Sequence, residues 1–314
     1  MAEILTCDDI DFAPYLADTD AEHRVITASS YVDDVIDYYH NPKTAVGSKL
    51  PFEKTHGSIL FRPGEVTLWG GMNGHGKSML LGQTCLGFIA QQKRICIASM
   101  EMKPLVTLAR MCRQASTICH PDIDFIRDFH DKTDGFLWLY DQQGTVKAKM
   151  ILAVLRYCAD KLKIDHFVID SLLKCGIGED DLNGQKDFID QLTSAARDTG
   201  VHVHLVAHSR KAKDESMAPG KMDVKGSGSI TDQVDNILTV WRNKAKESAA
   251  AEGRANAKDP DALIICDKQR NGEWEGKIGL WFHPGSMQFL PDGLSVPVNM
   301  LKLFQPVRDF SEPF

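Results

Sequence analysis

At 314 residues with 43% hydrophobic content, the chain is long enough to bury one large core, which excludes a disordered chain and a small disulfide-held scaffold. Its eight cysteines are scattered without a CxxC pair, so neither a zinc ribbon nor a disulfide framework is indicated, and a reducing compartment fits. The net charge of −7 argues against a protein coated all over in nucleic acid but allows a local basic surface.

The acidic start, MAEILTCDDIDFAPYLADTD, lacks the basic and apolar parts of a signal or transit peptide, and no apolar run reaches membrane-spanning length. The expectation is a soluble cytoplasmic protein with no membrane partner. Residues 1–29 are polar and aperiodic and read as a loosely ordered arm. The stretch SYVDDVIDYYHNP then sets Val32, Val35, Ile36 and Tyr39 at helical spacing, with Ser30 and Asp33 suited to a capping box and Pro42 as a stop. This short amphipathic helix either packs on its own body or docks on a neighbouring subunit.

From RPGEVTLWGG onward, β-branched and aromatic runs alternate with longer helical patterns. Strands are expected at 66–69, 94–99, 136–140, 166–170, 201–207, 236–241 and 262–266, and helices at 77–90, 105–117, 146–162 and 186–199. Such alternation implies crossover units and therefore an α/β fold with a mostly parallel, twisted sheet covered by helices on both faces. The stretch GKIGLWFHPGSMQFLP reads as a hairpin at a sheet edge, and no internal repeat is present.

GGMNGHGKSMLLGQ concentrates glycine and one lysine between a strand and a helix. Gly71 to Ser78 matches GxxxxGK[ST] in full and in the context that motif requires. Backbone N–H groups around Gly74, His75, Gly76 and Lys77 would form an anion nest at the helix N-terminus, flanked by Asn73 and Met79. Lys77 would reach the β and γ phosphates of ATP or another nucleoside triphosphate, and Ser78 would ligate Mg²⁺. HFVID delivers Asp170 to the same sheet edge as a magnesium partner. RICIASM delivers Glu101, either a general base for water or a helix-capping acid, and VHVHLVAH ends on His208, either an ordinary hydrogen-bonding histidine or a reporter of the γ-phosphate.

The blocks GGMNGHGKS, ASMEMKP, FVIDSLL, VHLVAHSRK, VKGSGSITDQVDNI and CDKQRNGEWEGKIGLWF, in that order, resemble the ATPase domain of hexameric replicative helicases of the DnaB type, and especially the helicase half of phage primase-helicases and Twinkle. The resemblance spans roughly residues 50–290. It implies a RecA-like P-loop NTPase that assembles as a ring of hexameric type and unwinds DNA at replication forks by 5′ to 3′ translocation on single-stranded DNA. ATP would lie between subunits, and primase and DNA polymerase would be partners in a bacterial or phage-infected cell. By the same resemblance Lys77, Ser78 and Asp170 hold nucleotide and magnesium, Glu101 activates water and His208 senses the γ-phosphate. Lys268 and Arg270 would enter the neighbour's site, while Arg242 and Phe282 would flank the base.

One DNA-contacting loop would be KCGIGEDDLNGQK, in which acids outnumber lysines. The other, RKAKDESMAPGKMDVKGSG, brings Arg210, Lys211, Lys213, Lys221 and Lys225, followed by Gly226, and is locally positive. The expected organisation is an arm and linker helix over residues 1–48, an ATPase domain over 49–295 and a tail over 296–314. No primase module, zinc block or toprim-like acidic cluster precedes the ATPase, which leaves open a stand-alone helicase or a piece of a longer protein. The tail ends on Phe314, either an anchor for a partner's basic pocket or an idle end. Two other readings of the P-loop remain: a RecA-like recombination ATPase that binds DNA without unwinding it, and a small-molecule kinase, which would leave KQRNG and the basic loop unexplained.

Overall fold

The structure, a computed structural model, describes residues 3–5, 13–15, 28–40, 47–178, 180–208, 228–254 and 256–304. Ten strands form a single sheet: β1 (Glu3–Leu5), β2 (Val66–Gly70), β3 (Ile95–Ser99), β4 (Leu137–Tyr140), β5 (His166–Asp170), β6 (His202–Val206), β7 (Asn236–Arg242), β8 (Ala262–Gln269), β9 (Gly276–His283) and β10 (Gln288–Leu290). Their spatial order is β1-β4-β3-β5-β6-β2-β7-β8-β9-β10. Pairing is parallel from β1 through β7 and antiparallel from β7 through β10.

Every residue of β2 to β6 is buried, as expected of strands covered on both faces. Successive side chains therefore enter opposite cores: Leu68, Ala98 and Ile169 join one, and Trp69, Ile97 and Val168 the other. The first core is closed by α5 (Ala148–Tyr157) and α6 (Leu182–Thr199), the second by α2 (Lys77–Ile89) and α3 (Pro104–Ala115). The expected strands from β2 to β7 agree with those observed to within one residue at each end. β8 runs three residues further than expected, and the helix expected over 146–162 is α5 followed by a π turn at Cys158–Leu162.

Several elements go beyond the sequence expectations, α7 (Gly228–Gln233) among them. α4 (Ile123–Thr133) starts where the Asp122 side chain accepts the Phe125 N–H, and α8 (Lys244–Ala251) where Asn243 accepts from Lys246. The N-terminal arm, expected to be loosely ordered, supplies β1, which pairs in register with β4. Ahead of the sheet, α1 (Val32–His40) forms as its spacing predicts, and Val32, Val35, Ile36 and Tyr39 stand 49–71% exposed. Among the described residues no helix is long and apolar enough to cross a membrane.

The second core holds three buried histidines, His166, His202 and His204, among Phe61, Trp69 and Phe88. Indole N–H is only a donor, so Trp69 Nε1 (3.1 Å) makes His204 Nδ1 an acceptor. His204 then donates from Nε2 to His166 Nδ1 (3.1 Å), and His166 from Nε2 to Ser48 Oγ (2.7 Å). His202 donates from Nδ1 to the Arg62 carbonyl (2.6 Å) and accepts from the Thr67 hydroxyl (2.8 Å). Burial pushes all three imidazoles below their ordinary pKa, His202 to about 4.

Candidate nucleotide site

β2 ends in the loop that opens α2. Gly71, Gly74 and Gly76 have φ of +142°, +76° and +85°, a backbone conformation that side chains rarely adopt. At Gly71 a Cβ would also stand 2.4 Å from the Val240 carbonyl oxygen of adjacent β7, so the turn out of the sheet leaves space only for glycine. Gly76 caps α2 in the left-handed region, and the first N–H groups of that helix face the loop. His75 is buried beneath it and its Nδ1 accepts the Arg242 backbone N–H at 3.1 Å, tying the loop to the end of β7.

Lys77 is buried, and its Nζ donates to the carbonyls of Gly71 (2.7 Å) and Met72 (3.0 Å) across the mouth of the loop. Burial lowers its pKa to about 8, against the raising effect of Asp170 and Glu101. Asp170, at the end of β5, is buried and hydrogen-bonded to Ser78; burial raises its pKa and the Ser78 bond opposes the rise. These are hard oxygen donors beside the start of α2. No group of three or more His, Cys, Asp or Glu side chains suited to a metal occurs among the described residues. That donor set fits Mg²⁺ bound by one hydroxyl, one carboxylate, water and substrate phosphate.

Glu101 follows β3, whose Ser99 pairs with Asp170. Its Oε1 accepts from Ser171 Oγ at 2.5 Å and lies 3.4 Å from His208 Nε2. His208 Nδ1 lies 3.3 Å from Lys77 Nζ, and an ammonium only donates, so the Nε2 proton of His208 faces Glu101. The His208 contact, helped by Ser171, holds Glu101 down at about 2 although burial pulls the other way. The carboxylate is charged throughout the neutral range.

These side chains surround an open cleft of about 840 Å³ lined by Asn73, Gly74, Gly76, Lys77, Ser78, Met79, Glu101 and His208. Arg110 of α3, around which the local sequence marks no site, also lines it, as does Lys174, the first residue of the stretch KCGIGEDDLNGQK expected to contact DNA. Ser171 is likewise absent from the expected set, although it directly follows Asp170. Arg242 lies at the rim, with Nη1 3.4 Å from the Gly74 carbonyl and its guanidinium paired with Glu247. Phe282 is half-buried against Phe289, whose ring faces Gly76.

Lys268 and Arg270 stand elsewhere. β8 runs antiparallel to β7, which carries them to the opposite edge of the sheet, beside the start of β2. Lys268 Nζ donates to the carbonyls of Thr231 (2.8 Å), Asp232 (2.9 Å) and Val234 (2.8 Å), at and just beyond the end of α7 (Gly228–Gln233). An ammonium has three donors, and within the chain these carbonyls give Lys268 a helix-capping role beside its expected one. Arg270 keeps 40% of its side chain exposed. Arg210, Lys211, Lys213, Lys221, Lys225 and Gly226, like the terminal Phe314, lie outside the described residues.

Comparison with known proteins agrees with this geometry. The chain is 25% identical over 205 residues to the DNA helicase/primase of Enterobacteria phage T3, a match covering 58% of this chain and 36% of that protein, so it spans about a third of the relative's length. Among solved structures, an ATPase domain determined on its own superposes with a TM-score of 0.68 at 16% identity, covering 84% of this chain and 99% of that one. A DnaB-like replicative helicase studied for its interactions with primase gives a TM-score of 0.68 at 16% identity, covering 85% and 67%. At these identities the superpositions establish a shared fold, which is the RecA-like one expected. Residues 53–291 match the model of the DnaB-like helicase C-terminal domain. On that match, over most of its length, the chain belongs to the DnaB-like helicase C-terminal domain family.

Proposed function

We propose that this protein is an ATP-driven DNA helicase that assembles as a ring and hydrolyses ATP between subunits while translocating on single-stranded DNA, with 5′ to 3′ polarity. The observation that carries the reading is the separation of Lys77 and Arg270. The P-loop leaves the C-terminal end of β2, whereas Asp235, the residue to which Arg270 is bound, hydrogen-bonds Val66 at the other end. A five-residue strand separates its ends by roughly 13 Å. Arg270 therefore cannot reach its own chain's triphosphate and is available to the next subunit's.

In this reading the P-loop N–H groups and Lys77 hold the phosphates, and Ser78 and Asp170 hold Mg²⁺. When bound, the ion would offset the negative charge of the phosphates. Glu101, ionised and fixed by Ser171 and His208, orients and deprotonates the attacking water. His208, between Lys77 and Glu101, is placed to respond to a γ-phosphate that competes for the lysine. Arg270 of the neighbour stabilises charge on the transferring group, and Arg242 with Phe282 flanks the base.

The positive segment with Arg210, Lys211, Lys213, Lys221 and Lys225 would line the ring's channel, where repetition around the axis focuses potential on the strand's phosphates. The apolar face of α1 would dock on the adjacent subunit and hold the ring together. Primase and polymerase are the partners this assignment implies, in the cytoplasm of a bacterial or phage-infected cell.

Unwinding of a forked duplex, dependent on ATP and on a free 5′ tail, tests the proposal. DNA-stimulated hydrolysis without unwinding would favour a recombination-type ATPase, and hydrolysis indifferent to DNA would contradict both.

A further inference from the structure

Arg270 is held by an assembled socket. Its Nη2 donates to the carbonyls of Asp232 (3.0 Å) and Gln233 (3.1 Å), its Nη1 lies 3.2 Å from Asp235 Oδ1, and its backbone N–H donates to the Asp235 carbonyl at 2.8 Å. The carbonyls close α7, where acceptors without helical partners collect and the helix dipole is negative. Asp235 is 5% exposed, and its second oxygen accepts the Val66 N–H at 2.9 Å. A carboxylate buried to this degree is retained only with its partners in place, and here the partners are Arg270, the more distant Arg197 guanidinium at 3.9 Å from the same oxygen, and the first residue of the P-loop strand. A guanidinium has five donors; these contacts occupy part of it, and 40% of the side chain stays exposed.

We propose that Asp235 is a positioning residue for hydrolysis in the adjacent subunit: it fixes the guanidinium of Arg270 before the subunits meet and ties it, through Val66, to the strand that carries its own chain's P-loop. The inference rests on the reading of Arg270 as a group acting on a neighbour's ATP. An arginine left to search its rotamers would have to be ordered at every turnover, whereas one clamped on carbonyls and a carboxylate is ordered once, on folding. The connection through Val66 also gives each nucleotide site a rigid path to the finger that serves the next.

Asp235→Asn tests this, because an amide oxygen can still accept from Val66 while the charge facing Arg270 is removed. In the full chain with single-stranded DNA and ATP, kcat is expected to fall about 10- to 100-fold, the cost of a mispositioned catalytic group, with KM for ATP and assembly by light scattering unchanged. If thermal melting shows the amide variant to be unfolded, Asp235→Ser, smaller and still an acceptor for Val66, replaces it. Wild-type kcat in a folded Asp235 variant would overturn the positioning role while Arg270→Ala alone still abolished turnover. Normal turnover by Arg270→Ala would instead remove the reading beneath it.

Discussion

One imidazole spans the phosphate-binding lysine and the candidate base: His208 Nδ1 lies 3.3 Å from Lys77 Nζ, and its Nε2 lies 3.4 Å from Glu101 Oε1. Glu101 is thereby held charged and aimed into the cleft, with Ser171 as its second support. Replacing it with glutamine keeps the shape and removes the base. Glu101→Gln is expected to lower kcat by about 10² to 10⁴, the usual contribution of such a group, while a fluorescent ATP analogue binds as before. A variant retaining half its turnover would take Glu101 out of the chemistry.

The glycines of the P-loop are not equivalent. Gly71 has both a positive φ and a Cβ position 2.4 Å from the Val240 carbonyl, whereas Gly74 has a positive φ with open space around it. Gly74→Ala is expected to cost about 1–2 kcal/mol, the left-handed penalty alone. Gly71→Ala adds a collision with sheet backbone and is expected to cost about 3 kcal/mol or more. Urea unfolding of the two variants measures both, and equal losses would contradict the geometry.

The buried histidines make stability depend on acid. Their folded pKa values lie below the ordinary 6.5 of the unfolded chain, His202 at about 4, so the native state binds fewer protons. Their contribution is complete above about pH 6.5 and is lost as pH falls towards 4, worth about 3 kcal/mol for His202 alone. Glu101 does not titrate in that window. An unfolding free energy that stays level between pH 7 and pH 5 would show that the three rings do not govern it.

α1 presents Val32, Val35, Ile36 and Tyr39 to solvent, an apolar stripe of the kind that marks a docking helix. Removal of residues 1–45 is expected to convert the assembled protein to monomer in light scattering, with the ATPase domain still folded. Rings that survive the deletion would rule out α1 as their fastener.

The central strands are legible because burial on both faces writes them as continuous apolar runs such as HFVID, and the P-loop because its glycines answer to backbone geometry that no other residue satisfies. α4 escapes such a reading because Asp124, Arg127, Asp128, Asp131 and Lys132 dilute its apolar positions, although Asp122 at its cap and the spacing of Phe125, Ile126 and Phe129 form a readable start signal. β1 is three residues long, below what alternation can reveal. In the site, residues at strand ends are recognisable because topology sends every parallel strand's end to one edge. Ser171, Arg110 and Asp235 are not, since their places arise from contacts between segments far apart in the chain, and Lys174, expected in a DNA-contacting loop, lines the cleft instead. Lys268 shows the same limit: only the fold reveals that the lysine of KQRNG grips the end of α7 while Arg270 keeps an exposed edge.

The claim that a nucleotide site is completed by a second copy of the chain is tested most directly by mixing two variants. Lys77→Ala lacks a working P-loop but keeps Arg270, and Arg270→Ala has the reverse defect. Each alone is expected to lack DNA-stimulated ATP hydrolysis, and the mixture, assembled on single-stranded DNA, to regain a substantial fraction of it at interfaces that pair an intact P-loop with an intact arginine. Failure of mixed assemblies to recover turnover, or full hydrolysis by Arg270→Ala at dilutions where only monomer exists, would contradict the account.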